Sequence, residues 1–156
     1  MQIRLDKIAG THLESVRSAD VLKNGYFVEL QDLIVGEREL YTVTEPTDIA
    51  NELLLHATPE VMYDSLANSL DDFEVEANEE GRAYHLTVGD VITMTADLFT
   101  GVPVVGNLVA GAVGSYLLAP VDPVAGTTAR TQLRVIEQTV LGFNAQTAYA
   151  LKVESV

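Results

Sequence analysis

The hydrophobic and polar positions of this chain follow the two-residue repeat of β-strands in several separate stretches. The pattern is clearest near the end, where residues 132–140 are rich in β-branched side chains and residues 148–154 set apolar positions against Lys152 and Glu154. A period of two directs alternate side chains to opposite faces, so one face is buried and the other is solvated. We therefore predict two strands here, separated by a break at residues 142–144.

Short strands are also predicted earlier in the chain, each beside residues that favour turns. Residues 21–23 and 26–30 flank Asn24-Gly25, the pair that most readily forms the tight turn of a β-hairpin, and we predict a hairpin there. Residues 53–57 form an apolar run whose length suits a buried strand better than a helix. Two further strands are predicted at residues 40–43 and 88–95.

One segment carries the helical repeat instead. Met62, Leu66, Leu70 and Phe73 follow one another at spacings of four, four and three residues, which places them on one face of an α-helix. A chain of 156 residues is long enough to bury one hydrophobic core. We therefore predict a single, mainly β domain over residues 1–156, an antiparallel barrel or sandwich with one short helix.

The segment from Leu98 to Val121 contains no charged residue, and it is long enough to raise the question of a membrane span. Its glycines, its two prolines and Asn107 interrupt it repeatedly. Each break in a spanning helix leaves backbone groups without partners in hydrocarbon, so we predict that the segment is not a membrane anchor. We expect a glycine-rich hairpin or loop that is buried or lies at an interface.

The charge of the chain is strongly uneven. The net charge is −14 at pH 7, and the first 97 residues account for all of it, with 20 acidic and 6 basic side chains against 3 and 3 in the rest. Nucleic-acid affinity comes from Lys and Arg displacing counterions from phosphates, so we predict no nucleic-acid partner. The split predicts one acidic, solvated surface and one apolar surface. The absence of cysteine and an acidic Asp6 near the start predict a cytosolic product without disulfides.

No pattern of residues indicates catalysis or cofactor binding. His12, His56 and His85 lie far apart without the paired spacing of metal ligands, so a metal site would require them to converge in space. Asp71-Asp72 and Glu74 lack the spacing of a calcium-binding loop, and we interpret them as solvated carboxylates. We therefore predict no catalytic residue, no cofactor and no metal.

A series of short motifs occurs in order along residues 23–97, and the likeness resumes in the closing pair of strands. The motifs are Asn24-Gly25-Tyr26-Phe27-Val28-Glu29-Leu30, Gly36-Glu37-Arg38-Glu39-Leu40, Ala57-Thr58-Pro59-Glu60-Val61-Met62-Tyr63-Asp64, Asp71-Asp72-Phe73, Arg82-Ala83-Tyr84-His85-Leu86 and Val88-Gly89-Asp90-Val91. This series resembles small structural proteins of tailed bacteriophages and prophages, which are encoded beside the major capsid protein and decorate the head. The resemblance implies a non-enzymatic virion protein, assembled in the host cytoplasm, that cements the capsid exterior by binding the major capsid protein.

A capsid-binding protein needs an apolar surface toward the lattice and a soluble surface away from it. We predict that the uncharged segment supplies the contact, because apolar and aromatic anchors carry most of the energy of an interface. The candidate residues are Val102, Val104, Val105, Leu108, Tyr116 and Leu117. The alternative is that these residues fill the core of the domain itself. Clustering of copies as a homo-oligomer around a capsid symmetry axis would add avidity.

Two other classes of function stay open on the sequence. A tail-associated module, or another small ligand-binding β-domain, would present a concave aromatic patch drawn from the 6 Tyr and 4 Phe residues. A hydrolase would bring carboxylates together in a pocket and raise the pKa of one of them. The structure of the chain bears on both patterns.

Overall fold

The computed structural model describes residues 1–8, 12–60, 73–142 and 145–156. The strands are β1 (Ile3–Lys7), β2 (Leu13–Arg17), β3 (Leu22–Lys23), β4 (Phe27–Leu33), β5 (Leu40–Thr44), β6 (Leu53–His56), β7 (Glu74–Val75), β8 (Glu80–Tyr84), β9 (Val91–Thr95), β10 (Leu108–Ala112), β11 (Ser115–Pro120), β12 (Gln132–Leu141) and β13 (Gln146–Ser155). A 3-10 turn, Ala96–Leu98, follows β9. Strands account for 52% of the structure and helical turns for 2%, so the predicted mainly β fold is confirmed.

Two larger sheets and one short ribbon organise these strands. The first sheet closes into a barrel in the order β2-β5-β4-β6-β8, and the second has six strands in the order β1-β9-β13-β12-β10-β11. Strands β3 and β7 form the ribbon. All strand pairs are antiparallel except that of β2 with β5, which are parallel neighbours in the barrel. The barrel is drawn from the acidic part of the sequence, whereas four of the six strands of the second sheet come from the neutral part.

The barrel and the six-stranded sheet share a core because β6 and the first three residues of β4 are buried on both faces. Phe27, Leu53 and Leu55 pack with side chains of the six-stranded sheet. The alternate positions Val28 and Leu54 belong to a second cluster with residues of the barrel. This double burial explains why the sequence of β6 is a continuous apolar run rather than an alternating one, and it confirms the prediction of a buried strand.

The closing hairpin is the longest element of the fold, and its two strands lie where they were predicted. Strands β12 and β13 pair antiparallel from Gln132 opposite Ser155 to Leu141 opposite Gln146, with two irregularities in register. Strand β13 also pairs with β9, so it lies inside the six-stranded sheet. The prediction of strands at 40–43 and 88–95 is confirmed by β5 and by β9, although β9 begins only at Val91.

The prediction of a hairpin around Asn24-Gly25 is wrong, because β3 and β4 do not pair with each other, although the turn between them is present. The Tyr26 amide donates to the Lys23 carbonyl at 3.2 Å, and φ is +96° at Gly25. Asn24 does not share the positive φ that the expected hairpin turn requires at both central positions. Its side chain instead exchanges hydrogen bonds with the backbone of Thr58, at 2.9 and 2.8 Å. The chain therefore turns away from β3, which pairs with β7, and enters the barrel as β4.

The uncharged segment from Leu98 to Val121 contains the hairpin that the glycines predict, formed by β10 and β11. No helix in the described parts of the chain is long and apolar enough to cross a bilayer. The helix predicted from Met62 to Phe73 lies outside the described residues apart from Phe73 itself, and so does the Asp71-Asp72 pair. Glu74 begins β7 and forms an ion pair with Lys23 at 3.5 Å.

Candidate functional site

Residues 101–106, here called the valine loop, connect the region after the 3-10 turn to β10. Three of the predicted contact residues lie on it, and their side chains are largely exposed: Val102 at 77%, Val104 at 56% and Val105 at 51%. Exposure of three valines within four positions is costly in water unless another surface covers them. These residues therefore do not belong to the core of the described fold.

Backbone hydrogen bonds hold the valine loop at both ends. The Thr100 amide donates to the Leu118 carbonyl at 2.9 Å, and the Gly106 amide donates to the Val135 carbonyl at 2.8 Å. Arg134 donates through Nη1 to the Gly106 carbonyl at 2.7 Å. These anchors fix the ends of the loop, so the entropic cost of ordering the loop on binding is largely met in the free protein.

Arg134 is itself held in place by Glu154 on the neighbouring strand. Its Nη2 donates to Oε2 of Glu154 at 2.8 Å, and its Nε contacts the other carboxylate oxygen. The hydrogen bond from Arg134 holds the pKa of Glu154 below its usual range. The two-point contact fixes the plane of the guanidinium, which keeps Nη1 directed at the valine loop.

The other predicted contact residues are less accessible. Leu108 and Leu117 are half-buried, and Leu117 packs against the main core. Tyr116 is buried, stacks on Tyr26 with 5.0 Å between ring centroids, and donates its hydroxyl to Asp20 at 2.9 Å. Burial raises the pKa of Tyr116 to about 12. The segment thus divides into exposed valines and residues that stabilise the fold itself.

A second cluster brings together two of the three histidines. His12, Glu14 and His85 each offer a ligand atom, and these atoms lie within 4.8 Å of one another. Nε2 of His12 is 2.9 Å from Oε1 of Glu14, and Nε2 of His85 is 3.6 Å from the same oxygen. The two imidazole rings stack with their centroids 4.2 Å apart. We call these three residues the His-Glu cluster.

The register of β2 and β8 builds the His-Glu cluster. Leu13 pairs with Tyr84, and one step further along the same ladder the His85 amide donates to the His12 carbonyl at 3.1 Å. His12 and Glu14 are two residues apart and so share one face of the sheet. The only signal in the sequence is this two-residue spacing, because nothing in it shows that residues 12 and 85 become neighbours.

His85 has a further carboxylate on its other nitrogen. Nδ1 of His85 lies 2.7 Å from Oε1 of Glu52, whose second oxygen accepts from Arg130 at 3.2 Å. Glu52 comes directly before β6, and Arg130 comes shortly before β12. Glu52 therefore orients the Nδ1 side of the His85 ring, and Arg130, which comes before a strand of the six-stranded sheet, holds Glu52 in turn.

His56 has a different role from the other two histidines. It is fully buried, with Nδ1 3.1 Å from the Lys23 carbonyl and Nε2 3.0 Å from the hydroxyl of Thr58. Burial lowers the pKa of His56 despite the bond to the Lys23 carbonyl. His56 is therefore a buried histidine that stabilises the fold through two hydrogen bonds.

The lowered pKa of His56 predicts that stability falls on acidification. Between the folded pKa and about 6.5 the unfolded chain binds the proton that the folded chain rejects, so stability is retained above that range and declines below 6.5. We expect a contribution of up to about 1.4 kcal/mol per pH unit within this window. Urea unfolding of the wild type and of His56→Gln, from pH 7.5 to pH 5 in metal-free buffer, measures it. Equal slopes in the two proteins would contradict this role, and His12→Gln serves as the exposed histidine control.

A hydrolase depends on carboxylates that share a pocket, and an aromatic binding site depends on accessible tyrosine and phenylalanine rings. The polar groove of about 550 Å³ beside β2 and β5 is lined by Glu37, Arg38, Glu39 and Glu80 among others. Burial favours a raised pKa at Glu29, but hydrogen bonds from its neighbours outweigh burial and hold it below the usual range. All the tyrosine and phenylalanine side chains among the described residues are buried or half-buried.

Comparisons of the chain with models of protein families, with curated proteins and with solved structures gave no match.

Proposed function

We propose that this chain is a virion structural protein that decorates the exterior of a phage capsid by binding the major capsid protein through the valine loop. The observation that carries the proposal is the exposure of Val102, Val104 and Val105 on a loop that the fold holds in place. The order of motifs that resembles head decoration proteins supports the choice of partner. The proposal involves no catalytic step.

The distribution of charge is consistent with a protein that is bound on one side. The part of the chain from Leu98 onward has no net charge, whereas the barrel belongs to the part that carries the excess of acidic side chains. An uncharged loop avoids the desolvation of charges when it meets a shell. The acidic part would face solvent and oppose non-specific association between heads.

The contact through the valine loop is small, and a capsid lattice compensates for that. Burial of one valine side chain contributes about 1.5–3 kcal/mol, so three valines provide a modest interface. A repeating shell offers many equivalent sites, and contacts between neighbouring copies around a symmetry axis would convert weak single contacts into stable decoration. Leu108 follows the loop closely in the chain, and it and the half-buried Leu117 on β11 would add the part of their surface that stays exposed.

The exposure of Val105 allows a sharp test of this proposal. Because its side chain is half in solvent, Val105→Glu is expected to fold normally, whereas burial of the new carboxylate against the shell would weaken binding more than tenfold. Co-sedimentation of the variant with heads that lack the decoration protein measures the binding, and circular dichroism measures the fold. The matched control is Val35→Glu, since Val35 is fully exposed in the loop between β4 and β5.

The two classes of outcome are well separated. Loss of binding by a folded Val105→Glu, with full binding by Val35→Glu, is the expected result. Full occupancy of heads by Val105→Glu would place the contact elsewhere on the molecule. Unfolding of Val105→Glu would mean that the valine loop packs against the chain itself.

A further inference from the structure

We propose that His12, Glu14 and His85 bind a zinc ion, with two imidazole nitrogens and one carboxylate oxygen as its protein ligands. Two ligands at 2.0–2.1 Å from a tetrahedral zinc ion lie about 3.3 Å apart. Oε1 of Glu14 is 2.9 Å from Nε2 of His12 and 3.6 Å from Nε2 of His85, and these distances bracket that spacing. The proposal is independent of capsid binding and concerns the barrel strands β2 and β8, whereas the valine loop leads into the six-stranded sheet.

Nε2 of His85 is the atom that points to an absent partner. It is buried, and none of the described residues offers it a hydrogen-bond partner, since Oε1 of Glu14 at 3.6 Å is too distant. The carboxylate of Glu52 at Nδ1 holds the ring proton there, so in the neutral imidazole Nε2 presents its lone pair to the cluster. A buried polar atom without a partner is unfavourable, and coordination of a cation by this lone pair would satisfy it.

Glu52 and Arg130 supply the outer support that metal-binding histidines usually have. A carboxylate that accepts from the second ring nitrogen orients the imidazole and makes its free nitrogen a better ligand. Glu52 accepts from His85 at 2.7 Å, and Arg130 donates to the other oxygen of Glu52 at 3.2 Å. The His85 ligand is therefore orientated before any ion arrives.

His12 is the ligand that has to move. Its ring is 70% exposed and lies nearly parallel to that of His85, with 12° between the planes. Parallel rings direct their lone pairs side by side rather than at one point, so binding requires His12 to turn out of the stack. Its exposure leaves room for this rotation and for water in the remaining coordination positions.

The ligand set selects the class of ion. Imidazole and carboxylate together suit zinc, whereas magnesium and calcium prefer oxygen ligands alone. Cobalt(II) occupies similar N/O sites with lower affinity, and its visible absorption reports the coordination geometry. Zinc, cobalt, magnesium and calcium are therefore the probes that distinguish this site from general attraction of cations to an acidic protein.

The test uses the full chain, treated with a chelator and then titrated with zinc by calorimetry and with cobalt by absorption. We expect one zinc per chain and the absorption of a four- or five-coordinate cobalt site. Glu14→Gln and His85→Gln are each expected to weaken zinc binding at least 100-fold, and Glu52→Gln about 10–100-fold. Glu37→Gln is the control, because it removes an exposed carboxylate outside the His-Glu cluster.

Ring signals of the histidines in NMR spectra provide a second measurement that needs no variant. Zinc should shift the ring resonances of His12 and His85 and leave those of the buried His56 unchanged. Absence of zinc binding by the wild type would overturn the proposal. Equal binding by the wild type and His85→Gln would overturn it as well, and so would magnesium or calcium binding as tight as zinc binding.

Discussion

The variant Gly25→Ala is expected to lower the free energy of unfolding by about 2–5 kcal/mol, from backbone strain and overpacking together. Gly25 has a φ of +96°, a conformation that residues with a Cβ atom rarely adopt. A Cβ atom at this position would overlap the side chain of Leu98 and approach Cγ2 of Ile3 to 2.6 Å. Leu98 is fully buried at the contact between barrel and sheet, so it has little room to move. Urea unfolding followed by circular dichroism measures the loss.

Gly36→Ala separates the two contributions to that loss. Gly36 has nearly the same φ, +94°, but no atom lies within 4 Å of where its Cβ would be. It should therefore show the backbone strain alone, about 1–2 kcal/mol. Equal losses of unfolding free energy in the two variants would mean that Leu98 and Ile3 move aside without cost. That result would contradict the overpacking expected at Gly25.

Replacement of Glu29 by alanine is expected to cost about 2–3 kcal/mol of stability. The carboxylate is buried in β4 and accepts hydrogen bonds from the amide and hydroxyl of Thr47, from Asn51 at 2.9 Å and from Gln31 at 3.1 Å. Removing it leaves several donors at one place without an acceptor, and charge-assisted bonds are among the stronger ones. Chemical unfolding at pH 7 measures the cost, with the exposed Glu37→Ala as control.

The dependence on pH distinguishes this role of Glu29 from simple packing. Because its pKa is lowered in the folded state, the carboxylate stabilises the fold above about pH 4.5, and this stabilisation is lost as the pH falls through the folded value. The difference between wild type and Glu29→Ala should therefore shrink on acidification below pH 4.5. A difference that stays constant down to pH 3 would show that the charge of Glu29 is unimportant.

The strands that the sequence predicts most securely are those whose side chains have one clear environment. The first half of β12 and the end of β13 alternate between core and solvent, and β6 is buried on both faces, so composition and period suffice to place these strands. The turn at Asn24-Gly25 was predictable from residue type, but the partners of β3 and β4 were not. Pairing there depends on the bonds of Asn24 to Thr58, which lies 34 positions along the chain.

The candidate sites divide in a similar way. An uncharged segment rich in valine is visible in the sequence, and Val102, Val104 and Val105 could be named from it, but Tyr116 has the same composition around it and lies in the core. The His-Glu cluster could not be named, because two of its members are 73 positions apart. Only the register of β2 against β8 brings them together.

The six-stranded sheet has a consequence for the order in which the chain folds. Its first strand, β1, pairs with β9, and β9 pairs in turn with β13, so the whole barrel sequence lies between the first and second strands of this sheet. Pairing across such separations closes long loops and slows folding. During synthesis the barrel strands are all available once residue 84 has left the ribosome, whereas the second edge of β9 has no partner until β13 has been made. We therefore expect a slow final step, in which the apolar face of the barrel strands β4 and β6 stays uncovered and open to aggregation.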